Sequence, residues 1–141
     1  MTDTFVYADA SALIKLFLEE SETSALRRFL DRRPDVVSSS IARVEVQRAL
    51  RRAHADEVAM FEARRYLTRV HLRRPTEAIL DKAETLGPAT LRTLDAIHLA
   101  TALEFTPPPG CFLCYDERLA AAARLQGLTV VAPGVDEVHQ P

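Results

Sequence analysis

The chain has 141 residues, of which 48% are hydrophobic and 27% charged, with a formal net charge of −2. That balance suits one soluble globular domain, large enough to bury a core without disulfide or metal staples. It excludes a membrane protein, since no apolar run approaches the roughly 18 residues of a span, and Met1-Thr2-Asp3-Thr4 lacks the basic start and apolar stretch of a secretory signal, so a cytoplasmic location is expected.

In chain order, short β-branched or aromatic runs alternate with helical patterns. Residues 4–8 (Thr-Phe-Val-Tyr-Ala) read as a first strand and 11–20 as a helix, with Ser11 suited to its N-cap. A helix over 23–33 puts Leu26, Phe29 and Leu30 on one face and stops at Pro34, before a second strand at 35–38. Two helices follow, 41–54 capped by Ser39 or Ser40, and 55–69 with Ala59, Met60, Ala63, Tyr66 and Leu67 at helical spacing. A weak third strand at 70–72 leads through Arg73-Arg74-Pro75 to a helix over 76–86, closed by Gly87-Pro88. Thr93 reads as the cap of a helix reaching Glu104. After the Pro107-Pro108-Pro109-Gly110 turn come a fourth strand at 111–115, a helix over 117–126 ended by Gly127, a fifth strand at 129–132 and a short tail from Pro133-Gly134.

Such alternation predicts a parallel sheet covered by helices on both faces, with a crevice at the carboxyl ends of the strands. No internal repeat or domain boundary interrupts it, so residues 1–141 read as a single domain with its core over about 4–133. The four glycines form neither a dinucleotide fingerprint nor a phosphate-binding loop, which disfavours nucleotide cofactors. Cys111 and Cys114 are the only cysteines, too few for a zinc site. Three apart on a strand, they face opposite sides.

Charge is unevenly distributed. Residues 23–74 hold 13 arginines against six acids, a net of +7, and the other 89 residues carry a net of −9. A basic segment inside an acidic chain suits a polyanion running along one side.

Four acids are the candidates for a divalent-metal site. Asp9 follows the first strand, Asp116 follows the fourth, Asp95 lies in the first turn of its helix and Glu45 one turn into another. Two carboxylates about 5 Å apart repel by roughly 3 kcal/mol at an effective dielectric of 20, so converging acids call for a cation. An all-oxygen set suits Mg²⁺ or Mn²⁺ rather than zinc.

The stretches Tyr7-Ala8-Asp9-Ala10-Ser11-Ala12-Leu13, Ser40-Ile41-Ala42-Arg43-Val44-Glu45, Leu94-Asp95-Ala96-Ile97-His98-Leu99-Ala100-Thr101-Ala102 and Tyr115-Asp116-Glu117-Arg118-Leu119-Ala120-Ala121-Ala122-Ala123 resemble the four motifs of the PIN-domain family, and more narrowly its VapC branch, the toxins of type II toxin–antitoxin pairs. The resemblance covers about residues 4–133 in the family's order. It implies an α/β/α sandwich with a five-stranded parallel sheet in the order 3-2-1-4-5. It also places Asp9, Glu45, Asp95 and Asp116 at the catalytic, metal-binding positions. Where the family usually has Thr or Ser two residues before the fourth acid, this chain has Cys114, and a thiol is a poor donor and a poor ligand for a hard cation. Ser11 either supports the site or caps its helix. His98, one turn after Asp95, reads as a buried, hydrogen-bonded residue rather than a general base.

The resemblance thus implies an Mg²⁺- or Mn²⁺-dependent endoribonuclease that hydrolyses RNA with cation-activated water, is neutralised by a VapB-like antitoxin and forms a homodimer. Arg48 and Arg52, at i+3 and i+7 from Glu45, are candidate RNA contacts. Alternatives are a PIN-fold RNA-processing nuclease without a toxin role, a non-catalytic PIN-fold binding module, and a HAD-type phosphatase. The last needs a second Asp where Ser11 stands, and the binding module would lack an acid.

Overall fold

The structure, a computed structural model, describes residues 5–33 and 35–135. Its elements are β1 Val6–Ala8, α1 Ala10–Lys15, α2 Thr23–Asp31, β2 Val36–Ser39, α3 Ala42–Arg52, α4 Glu57–Leu67, β3 His71–Arg73, α5 Glu77–Thr85, α6 Thr93–Leu103, β4 Cys111–Leu113, α7 Glu117–Leu125 and β5 Val130–Val131. The strands form one sheet in the order β3-β2-β1-β4-β5, parallel throughout. This is the expected order.

The central strands are continuous apolar runs because both of their faces are covered. Side chains alternate across β1 and β4. Val6, Ala8, Cys111 and Leu113 pack with Leu13, Leu26, Leu30, Val46, Leu50, Ala63 and Leu67 from α1 to α4. Tyr7 and Phe112 face the other way, onto Leu99, Ala102, Leu119, Ala122 and Ala123 of α6 and α7. Tyr7 and Phe112 stack with ring centroids 5.2 Å apart. Cys111 and Cys114 are both free thiols and fall into these two separate cores, as their spacing predicts. No helix among the described residues is long and apolar enough to cross a membrane.

Several boundaries differ from the sequence reading. The first helix begins at Ala10 and ends at Lys15, not Glu20, and its N-cap is Asp9 rather than Ser11. It stops because side chains staple the following turn. The Lys15 ammonium bridges Glu20 and Glu22 at 3.2 and 2.6 Å, and the Thr23 hydroxyl donates to the Lys15 carbonyl at 2.9 Å. Helix α3 ends at Arg52 because His54 adopts a left-handed conformation, φ 57°, that lets the Ala55 amide close onto the Leu50 carbonyl at 2.9 Å. Helix α3 starts on Ile41 without a side-chain cap, although the Ser39 hydroxyl accepts from the Ile41 amide at 3.3 Å. Thr93 is the first residue of α6, and Arg92 holds its N-cap position. Gly127 does close α7 as expected, at φ 89°, with its amide on the Arg124 carbonyl and that of Leu128 on Ala123. Strand β4 stops at Leu113, so Asp116 stands three residues beyond it as the N-cap of α7. Thr4, Pro34 and most of the tail lie outside the described residues.

Candidate active site

The direction of strand succession reverses between β1 and β4, and such a switch point opens a crevice at the carboxyl ends of the strands. Asp9 leaves β1 there. Its amide continues the ladder to the Leu113 carbonyl at 3.2 Å, which fixes the backbone. Its Oδ1 caps α1 by accepting from the Ala12 amide at 3.0 Å and also accepts the Ser11 hydroxyl at 2.7 Å. Asp9 is only 2% exposed. Burial pushes its carboxyl above the usual range, against the opposing pull of His98 and these hydrogen bonds.

Ser11 is therefore a connector. While donating to Asp9 it accepts the Tyr115 amide at 3.0 Å, tying the turn after β1 to the turn after β4. Beside it lies Cys114, buried, with its thiol on the Asp116 carbonyl at 3.2 Å. Burial, reinforced by the charge and hydrogen bond of Asp9, pushes that thiol far up and keeps it neutral.

Glu45 reaches the crevice from the first turn of α3. Its Oε1 lies 2.7 Å from His98 Nε2, and His98 Nδ1 lies 2.8 Å from the Tyr7 hydroxyl. Burial raises the Tyr7 phenol well above its ordinary value, so the hydroxyl keeps its proton. A carboxylate only accepts, so Nε2 donates to Glu45, while the Tyr7 hydroxyl pairs with the other ring nitrogen. His98 is fully buried, as expected, and orients Glu45.

Asp95 and Asp116 stand at the starts of α6 and α7, where helix dipoles favour carboxylates. Asp116 Oδ1 accepts the amides of Arg118 and Leu119 at 2.9 and 3.1 Å. The Oδ2 atoms of the two acids share one guanidinium. Arg92 Nε donates to Asp95 at 3.1 Å and Nη2 to Asp116 at 2.8 Å. The sequence reading missed Arg92 and Tyr7. Arg92 stands three residues before Asp95, a spacing that pairs side chains on one helix face, and that was the available signal.

All four acids thus gather at one end of the sheet. They do not close on a point: among the described residues no three His, Cys, Asp or Glu side chains form a group that could hold a metal as they stand. In this arrangement Arg92 bridges two of them, a helix cap engages Asp116 and His98 engages Glu45. The donor set nonetheless fits a hard divalent cation. It is all oxygen, it already holds a cation in the form of Arg92, and Asp9 is charged only against the cost of burial. Arg48 and Arg52 line an open groove with Glu45, Ile14, Ile41, Val44 and Leu94, the stripe their spacing predicts. Arg43 lies in an adjoining depression with Gln47, Arg64 and Leu72.

The PIN domain profile matches residues 6–125. Ribonuclease VapC46 of Mycobacterium tuberculosis is 45% identical over 128 residues, spanning 91% of this chain and 97% of that protein. Two solved structures share the fold. The sarcin–ricin loop cleaving toxin VapC20 of Mycobacterium tuberculosis matches with a TM-score of 0.71 at 21% identity, covering 91% of this chain and 99% of that one. A toxin–antitoxin complex from Klebsiella pneumoniae matches with a TM-score of 0.66 at 21% identity, covering 91% and 97%. With the sheet order, the four motifs and these likenesses together, the chain belongs to the PIN-domain family and, within it, to the VapC ribonucleases.

Proposed function

We propose that this protein is the toxin of a VapBC-type pair, a cytoplasmic endoribonuclease whose Asp9, Glu45, Asp95 and Asp116 hold Mg²⁺ or Mn²⁺. The observation that carries this reading is the gathering of four acids from β1, α3, α6 and α7 at the switch point of the sheet, two of them already sharing a cationic side chain. A divalent cation bound there supplies positive charge to the phosphate and acidifies the attacking water.

The chain's own residues set the geometry. Asp9 is immobilised by its cap and by Ser11, and Glu45 by His98. Residues that hold acids in one orientation contribute preorganisation, which a solvated carboxylate lacks. The one histidine at the site among the described residues, His98, is buried with both ring nitrogens engaged, so it cannot serve as a general base toward a ribose 2′-hydroxyl. Water is accordingly the nucleophile. Single-stranded or loop RNA is the substrate, because side chains cannot read the deep groove of an A-form duplex, and Arg48 and Arg52 in the groove beside Glu45 contact its backbone. As a VapC-type toxin the protein is neutralised by a VapB-like antitoxin and acts as a homodimer.

The test is sequencing of new 5′ ends in total RNA treated with purified protein. Discrete cut sites that vanish with Asp9→Asn and Asp95→Asn support the reading. Cleavage retained by both variants removes the acids from the mechanism.

A further inference from the structure

Among the described residues, Arg92 is the one arginine or lysine in direct contact with the four acids. It bridges the Oδ2 atoms of Asp95 and Asp116, whose other ties differ: Asp116 Oδ1 is fixed by the start of α7, whereas its Oδ2 meets only this guanidinium among the described residues. Its side chain is 69% exposed while those of Asp95 and Asp116 are 16% and 25% exposed. The guanidinium is therefore more open to solvent, and to an approaching phosphate, than the two carboxylates it bridges. Its attachment at the N-cap of α6 leaves the side chain tethered to the mouth of the site even if both contacts break.

An arginine cannot neutralise itself by losing a proton. Were Asp95 and Asp116 to hold a dication, the guanidinium would be displaced and would remain a cation beside a site that must bind a polyanion. Its planar fork suits a phosphate as well as it suits a carboxylate pair.

We propose that Arg92 is a two-position residue: counter-ion to Asp95 and Asp116 without a divalent cation, and phosphate ligand for the RNA backbone once one is bound. This rests on the metal-nuclease reading above. It makes Arg92 a competitor of the metal and a helper of the substrate, two effects of opposite sign that a merely structural ion pair does not produce. Arg92→Lys keeps a positive charge but offers a point rather than a fork, so it bridges both carboxylates less well.

Calorimetric titration with Mn²⁺ and the separation of KM from kcat in RNA cleavage test it together. Arg92→Ala is expected to bind Mn²⁺ about three- to tenfold tighter, the fold-change that two exposed ion pairs of modest strength amount to. The same variant is expected to raise KM for RNA by about tenfold, as for loss of a hydrogen bond to a charged group. Arg92→Lys falls between it and the wild type on both measures, and it keeps the test open should the alanine variant fold poorly. Unchanged or weaker Mn²⁺ binding in Arg92→Ala overturns the proposal, and so does an unchanged KM. A wild-type protein that neither binds Mn²⁺ nor cuts RNA overturns the underlying reading instead, which the titration of the unsubstituted chain shows by itself.

Discussion

His98 Nε2 stands 2.7 Å from Glu45 Oε1, so the helix that bears Asp95 also holds the acid contributed by α3. Behind it the Tyr7 hydroxyl, next in sequence but one to Asp9, meets the other ring nitrogen at 2.8 Å. One buried chain of two hydrogen bonds thus links three of the segments that bring acids to the crevice.

Replacing His98 with alanine leaves a cavity and a buried Tyr7 hydroxyl without this partner. The expected cost is about 2–4 kcal/mol of stability. Cleavage should fall roughly 10- to 100-fold, as for loss of a group that orients a metal ligand. Tyr7→Phe removes only the outer hydrogen bond, about 1 kcal/mol, and should reduce cleavage less. Urea unfolding and initial cleavage rates of both variants measure this. Wild-type rates in His98→Ala would mean that Glu45 needs no such support.

Asp9 separates charge from shape. Asn keeps an oxygen for the Ala12 amide and Ser11 hydroxyl, while Ala removes the cap. In EDTA, Asp9→Asn should be at least as stable as wild type, and Asp9→Ala should be less stable than Asp9→Asn by about 1 kcal/mol. The pH dependence follows from burial, which raises the folded-state pKa of Asp9 above its unfolded value. The ionised carboxylate then weakens the folded state at neutral pH. Stability is regained as pH falls through the raised pKa and is complete below the unfolded value near about 3.9. Any advantage of Asp9→Asn over wild type should shrink as pH falls, which thermal melts in EDTA across that range read directly. An advantage that grows on acidification would contradict a raised pKa.

Much of this was legible in the residues. The apolar runs at β1 and β4 announced strands buried on both faces, and the order of strands and helices announced a parallel sheet. The placement of Asp9, Asp95 and Asp116 at one end of the sheet was legible because they stand where strands end or helices begin, and Glu45 follows within the first turn of α3. What stayed hidden depends on partners distant in sequence. Both Asp9 and Ser11 are good capping residues, and in the structure Asp9 caps α1 while the Ser11 hydroxyl is engaged by Asp9 and by the Tyr115 amide, 104 residues away. Tyr7 and His98 are 91 residues apart, and Arg92 is 24 residues from Asp116, so neither contact leaves a periodic trace. The end of α3 was misplaced because a histidine, not a glycine, takes the left-handed position there.

The arginine stripe makes its own prediction. Arg48 and Arg52 share a groove with Glu45, whereas Arg43 and Arg51 do not line it. In metal-free protein made cleavage-dead by Asp9→Asn, Arg48→Ala/Arg52→Ala should flatten the slope of log affinity for single-stranded RNA against log salt by about 0.7 per lost contact. Arg43→Ala/Arg51→Ala should leave it nearly unchanged. Equal slopes in the two double variants would place the RNA path elsewhere.

The central claim, hydrolysis by water at a carboxylate-held divalent cation, is tested most directly by the chemistry of the new RNA ends with and without EDTA. The account predicts 5′-phosphate and 3′-hydroxyl ends that form with Mg²⁺ or Mn²⁺ and disappear when EDTA is present. Ends carrying a 2′,3′-cyclic phosphate, or cleavage that persists in EDTA, would contradict it.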